Sequence, residues 1–262
     1  MFTPSVLKAL KSTGVDEKTL FSALDEPHEL SLELLQAQGL EILCNAGVCH
    51  FATAVTHIDD ATFCIVDVET NGSKPGKHQI IEIGAVKVCN GAITDTFESL
   101  VHCKEISRHI TEITGISTED TANAPSLKEV MHEFRLFLGT AIFVAHDVKF
   151  DYSFISAMMQ RVGLEALQNR ALCTIDLTER TISSYRYGLA YLNEQLELYK
   201  EATHHRALSD AITTAKLFKR VVKFMPENVK SAEDMIRFSK EAKRLKRPKF
   251  DPALSAKKEE EE

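Results

Sequence analysis

The amino-acid sequence predicts an α/β protein in which a mixed sheet flanked by helices follows a small helical module. Three observations carry that expectation. Apolar residues recur at helical spacing through residues 1–40, and three strand-like runs follow from residue 61 with a hairpin dipeptide between the last two. Amphipathic helices then alternate with apolar strands to about residue 225, so that an antiparallel start passes into strand–helix–strand units.

The helical module comes first. Val6, Leu7 and Leu10, then Leu20, Phe21 and Leu24, mark two short helices, with Pro4 and Asp16 at positions that helix starts favour. A third short helix around residues 30–38 precedes Gly39. LEILCNAGVCHFATAV then reads as two apolar runs about Asn45-Ala46-Gly47, a hairpin turn. Three helices and a hairpin make a winged-helix-like layout for residues 1–58. A wing that reads nucleic acid carries cations, whereas residues 1–60 hold only Lys8, Lys11 and Lys18 against nine acidic side chains. The expectation is a packing or protein-contact module.

Residues 61–225 form the main domain. TFCIVDVE, QIIEIGAVKVC and GAITDTFESLVHC read as strands, the last two joined by Asn90-Gly91. SLKEVMHEFRLFLG places Leu127, Val130, Met131, Phe134, Phe137 and Leu138 on one helical face between Ser126 and Gly139, a cap and a stop. AIFVAH reads as a strand, FDYSFISAMMQRVG as a helix and ALCTIDL as a strand. Helices over residues 189–199 and 207–223 complete the domain. The stripe Leu189, Leu192, Leu196 and Tyr199 assigns the clamp-motif-like QLELY to core packing. Residues 226–262 hold a helix-like stretch, SAEDMIRFSKEAKRLKRPKF, with seven basic residues from Arg237 to Lys249 and only Glu241 among them, and then an acidic tail expected to be disordered.

The chain of 262 residues has a formal charge of −7, which counts against a broadly basic nucleic-acid binder. The acidity is uneven: residues 1–60 carry −6, residues 61–225 carry −2 and residues 226–262 carry +1. No stretch has the ~20 apolar residues of a membrane span and the N-terminus lacks a signal-peptide core, so the expected location is cytoplasmic, with no membrane partner. Six scattered cysteines without a CxxC are expected to be reduced and buried. Cys44, Cys49, His50 and His57 have a spacing that fits no common zinc finger, and two alternating strands explain them better.

Four carboxylates carry the chemistry. Asp67 and Glu69 lie two apart at the end of an apolar strand and therefore share a face, where their repulsion favours a cation between them. Asp151 falls just after AIFVAH, where the next helix begins, and Asp210 lies in HHRALSDA. Helix-start charge and a solvated helix face would explain the last two one at a time. Together with Asp67-Val68-Glu69 those explanations are strained.

VDVETNG with IIEIGAV, AHDVKFDYSFI, and HHRALSDA with its H-x4-D spacing stand in this order. On these motifs the chain, over about residues 61–222, resembles the DEDDh superfamily of 3′-5′ exonucleases, and within it the proofreading exonuclease subunits of bacterial DNA polymerase III. ISRHITEITGIS and APSLKEV are also similar to the segments between the family's motifs. One position departs: members often have Asn where this chain has Asp147, an added carboxylate that would push neighbouring pKa values up.

The resemblance implies a ribonuclease H-like mixed sheet and hydrolysis of phosphodiester bonds from 3′ ends of DNA, releasing nucleoside 5′-monophosphates. It implies two ions, Mg2+ or Mn2+, held by Asp67, Glu69, Asp151 and Asp210, hard oxygen ligands suited to both metals. It makes His205 the general base, since an imidazole can take a proton near neutral pH. Thr70 and the backbone after Glu69 would contact the terminal 3′ hydroxyl, and apolar residues near Ile113 to Ile116 would wedge against the base. The implied partner is a single-stranded or frayed 3′ end, which costs little to unstack, with a DNA polymerase subunit as a further partner. RNA trimming is the alternative within the superfamily. A non-catalytic scaffold is the alternative outside it, disfavoured because a scaffold has no need of so concentrated a negative charge.

Overall fold

The computed structural model describes residues 2–203 and 205–251; the acidic tail, and His204 with its alternative register for the H-x4-D motif, lie outside the described residues. Helix α1 (Pro4–Leu10) starts with Pro4 at its first position and the Thr3 hydroxyl accepting from the Val6 amide. Strand β1 (Val15–Asp16) leads into α2 (Glu17–Phe21), which Asp16 caps, and α3 (His28–Ala37) follows. Strands β2 (Ile42–Asn45) and β3 (Val48–Phe51) form the hairpin, and β1 adds to it antiparallel in the order β1-β3-β2. Leu10, Leu20, Cys49 and Phe51 fill a small core between these helices and the sheet.

The hairpin corrects the cysteine expectation. Ala46 and Gly47 both have left-handed φ, so a two-residue turn sets Asn45 opposite Val48 and Cys44 opposite Cys49. Cys44 and Cys49 form a disulfide. Of the four free cysteines, Cys64 and Cys103 are buried and Cys89 and Cys173 half-buried.

After the short α4 (Ala52–Val55) the main sheet is built from β4 (Phe63–Thr70), β5 (Ile80–Cys89) and β6 (Ala92–Leu100), a meander turning at Asn90-Gly91. Helices α5 (Arg108–Thr114), α6 (Thr118–Thr121) and α7 (Leu127–Leu138) lead to β7 (Ile142–Ala145), α8 (Val148–Arg161) and β8 (Ala171–Cys173). The order is β6-β5-β4-β7-β8, with β7 parallel to both neighbours. It is a mixed sheet flanked by helices, as expected.

Alternation along β4 divides the molecule. Cys64, Val66 and Val68 pack with Phe134 of α7 and Phe154 of α8 on one face. Phe63 and Ile65 pack on the other with three further helices, α9 (Thr174–Thr181), α10 (Leu189–Leu196) and α11 (Ala207–Val222). Asp67 and Glu69 continue this second row.

Two segments differ from expectation. The strand predicted over ALCTIDL is β8 for only three residues before α9 begins. Its partner β7 ends at Ala145, opposite Cys173, so no ladder remains, and Thr178 and Thr181 return their hydroxyls to the carbonyls of Thr174 and Leu177. The C-terminal helix, α12 (Ala232–Glu241), stops well short of Phe250 and buries Ala232, Met235 and Ile236 in the second core. Pro248 and a dense run of like charges oppose its extension. No described helix is long and apolar enough to cross a membrane.

Candidate active site

Strand β4 ends in the site. A register shift after Glu69 bends the strand, and Thr70 turns its hydroxyl to the Gly72 carbonyl at 3.0 Å. Asp67 lies opposite Gly84 of β5, and Glu69 opposite Glu82. Asp151 arrives from the first turn of α8, whose N-cap, Asp147, has a left-handed φ of 87°. Asp210 arrives from the first turn of α11 and accepts the His205 amide at 3.0 Å. These residues converge on a cavity of about 270 Å³ lined by Asp67, Glu69, Asp151, Asp210 and His205, together with Val68, His146, Asp147, Phe150 and Leu189. Potential ligand atoms of Glu69, His205 and Asp210 lie within 4.8 Å of one another.

The carboxylates are crowded. Burial first, then Asp151, Asp210 and Glu69, push the Asp67 carboxyl well above the ordinary carboxylate range. Burial and the Glu82 and Asp210 charges raise Glu69 to about 7, with Arg206 acting the other way. Burial raises Asp151 to about 8, and Asp147 and Glu69 add to the effect against hydrogen bonds from the backbone at Asp151 and Val68. Asp147 therefore acts in the direction its departure from the family pattern suggested. His146 is held below the ordinary imidazole range by burial; its Nε2 donates to the Tyr187 carbonyl at 2.7 Å and its Nδ1 faces the Thr174 hydroxyl at 2.8 Å.

Of the expected contact residues, Thr70 is buried and does not line the cavity. Ile116 is core, packed with Ile81, Cys103 and Ile106, while Ile113 is exposed.

Sequence reasoning missed the anchor of the third motif. Glu82 is fully buried, and one of its oxygens accepts from Arg206 Nε and Nη2 at 3.0 and 2.7 Å. The other accepts the Ala207 amide at 2.9 Å. Two residues along β5, a Cβ on Gly84 would come within 2.1 Å of the Leu208 nitrogen, so the backbone of α11 crosses β5 where only a glycine leaves room. Glu82 and Gly84 both lie in the quoted IIEIGAV. An acid within an apolar strand, two residues before a glycine and so on the same face, was the available signal.

The profile of the RNase_T exonuclease family matches residues 64–218. A DNA polymerase III PolC-type protein of Thermotoga petrophila is 41% identical over 169 residues, 64% of this chain and 12% of that protein. A PolC-type protein of Staphylococcus aureus is 37% identical over 172 residues, 65% of this chain and again 12% of the relative. The chain thus spans about an eighth of the length of these curated relatives. Among solved structures, Exonuclease X in complex with 5′ overhanging duplex DNA has a TM-score of 0.54 at 26% identity, covering 68% of this chain and 99% of that one. E. coli Exonuclease I with a dT13 oligonucleotide has a TM-score of 0.58 at 14% identity, covering 64% and 42%, and shares the fold.

Proposed function

The chain belongs to the RNase_T exonuclease family, and on that premise we propose that it removes nucleotides from the 3′ end of single-stranded or frayed DNA, releasing nucleoside 5′-monophosphates. The observation that carries this reading is the convergence of Asp67, Glu69, Asp151, Asp210 and His205 on one cavity. DNA as substrate is supported by the PolC-type relatives and by the DNA-bound Exonuclease X neighbour.

The donor set fits two hard divalent cations, Mg2+ or Mn2+. Its carboxyls retain protons to about 7 and about 8 at Glu69 and Asp151 because they are buried together, and added positive charge would relieve that repulsion. Asp67, Glu69 and Asp210 would hold one ion, with Asp67 shared and Asp151 supporting the other. When bound, the ions supply charge against the oxygens that become negative as the phosphodiester is cleaved. His205 takes the proton of the attacking water at its exposed imidazole. Asp210, by accepting the His205 amide, holds the loop that presents that ring. Phe150 and Leu189 give the terminal nucleotide an apolar wall. Thr70 enters this reading through the backbone at the bend after Glu69, next to the 3′ hydroxyl.

The same reading makes a DNA polymerase the partner, the acidic residues 1–58 a contact module distinct from the nuclease domain of residues 61–225, and the cytoplasm the location. A gel assay of 3′- and 5′-labelled DNA and RNA, in Mg2+, Mn2+ or EDTA, tests it beside Asp67→Ala and His205→Ala. Each substitution is expected to reduce the rate at least about a hundredfold, and EDTA to abolish it. Activity that survives EDTA or both substitutions overturns the metal mechanism, and faster loss of RNA than of DNA replaces the substrate.

A further inference from the structure

The basic run after α12 has no part in the chemistry above, yet it is held on α9 and on tyrosines next in line behind the cavity wall. The Leu245 amide donates to the Glu179 carbonyl at 2.8 Å, and the Ser183 hydroxyl donates to the Lys246 carbonyl at 2.8 Å. Arg244 and Arg247 reach the buried Glu179 carboxylate at 2.9 and 2.8 Å. Arg247 also lies 4.9 Å from the Tyr187 ring, and the Tyr191 hydroxyl donates to Asp251 at 2.7 Å. The Tyr187 carbonyl receives His146, and His146 and Leu189 are walls of the cavity. Residues 242–251 therefore form a strap seated beside the site.

The strap has two kinds of side chain. Arg244 and Arg247 are spent on seating it. Lys243, Lys246 and Lys249, at every third position, are exposed and form no ion pair among the described residues, and no acidic residue interrupts 242–250. Phe250 is 80% exposed. Cations spaced along a non-helical segment beside an exposed ring match a ligand with regularly spaced anions and stackable faces. An acidic protein surface would match the lysines but leave Phe250 without a role.

Resting on the nuclease reading of the cavity, we propose that the strap is a contact surface for single-stranded nucleic acid, with Lys243, Lys246 and Lys249 on phosphates and Phe250 stacked on a base. It grips strand upstream of the nucleotide in the cavity, so it matters for long substrates and not for the shortest.

The full chain, its Lys243→Ala/Lys246→Ala/Lys249→Ala variant and Phe250→Ala test this with a fluorescent 20-nucleotide DNA strand in EDTA, by anisotropy across a NaCl series. The triple variant is expected to bind about tenfold more weakly and to flatten the slope of log affinity against log salt by about 2, since each single-strand phosphate contact contributes about 0.7. Phe250→Ala should weaken binding with the slope unchanged. With Mg2+, kcat/KM on the 20-mer should fall by a similar factor in the triple variant while hydrolysis of a dinucleotide stays unchanged. Unaltered affinity and slope, or equal losses on both substrates, overturns the proposal, as does intact DNA binding with lost retention of a polymerase. Wild-type protein that cleaves neither substrate would refute the nuclease reading instead, and the binding series in EDTA would still decide the strap.

Discussion

Glu82 is fully buried, yet its carboxylate is satisfied by three donors, two from Arg206 and one from the Ala207 amide. Because those donors belong to the start of α11, the charge on β5 sets where His205 and Asp210 stand. Glu82→Gln keeps the shape and removes the charge. Arg206 is half exposed and would regain water, which limits the loss to about 2 kcal/mol, read as a shift in urea midpoint. Activity should fall more than stability does, since the loop carrying His205 loses its tether.

The raised carboxyls make a second prediction at this scale. Glu69, at about 7, and Asp151, at about 8, hold protons that an unfolded chain has already released. Between about pH 5 and about pH 8 the folded state therefore binds more protons, and stability in EDTA falls as pH rises through that window. Mg2+ competes with those protons, so its stabilisation should be larger at about pH 8 than at about pH 5.5. Melting curves with EDTA and with Mg2+ at both pH values check this, and an EDTA melting point that climbs across the window would contradict the crowding. The carboxylates themselves were legible from the motifs. Glu82 was not, because its role depends on a partner more than a hundred residues away.

At the scale of elements, α11 packs its backbone directly against β5 at Gly84. A methyl on Gly84 would meet the Leu208 nitrogen at 2.1 Å and the Ala207 carbonyl carbon at 2.3 Å, backbone atoms that no rotamer change can move. Gly84→Ala must therefore push α11 outward, at a cost of about 3 kcal/mol or more in a urea titration. Asp210 moves with the helix, so metal-dependent cleavage should fall at least about tenfold even where the variant is folded. Helices and strands with clean periodicity were readable: α7 lies between the expected Ser126 and Gly139, with Glu129 completing its capping box. Two elements depart from their sequence pattern in part because groups outside the segment act on them. α9 begins where β8 loses its partner β7, and α12 ends where Arg180 captures the carbonyls of Lys240 and Ala242. The disulfide, by contrast, was recoverable: once Ala46-Gly47 is taken as a two-residue turn, Cys44 and Cys49 must face each other.

For the whole molecule, charge is unevenly placed: the N-terminal module over residues 1–60 carries −6, whereas the strap over residues 242–250 holds five basic residues and no acidic one. The Gln38 carbonyl accepts from Arg135 and from the Gln168 amide, and Gly39 packs tightly on Asn169, whose side chain holds the carbonyls of Gly139 and Ala141. These contacts sit where β7 and β8 begin. The cavity lies at the opposite ends of the strands, after Glu69 of β4 and Ala145 of β7. Such separation predicts little energetic coupling between module and chemistry. Removing residues 1–51 keeps α4 and its Thr53 to Glu233 hydrogen bond, and leaves the nuclease sheet with every residue of the cavity. The truncated protein should melt several degrees lower, because Asn169 and the Arg170 face under Phe51 become exposed, yet hydrolyse a dinucleotide in Mg2+ within about twofold of the full chain. Thermal melts and a dinucleotide assay on the two proteins check both halves of this expectation. A truncated protein that folds and has lost dinucleotide cleavage would show that the module reaches the chemistry through the sheet.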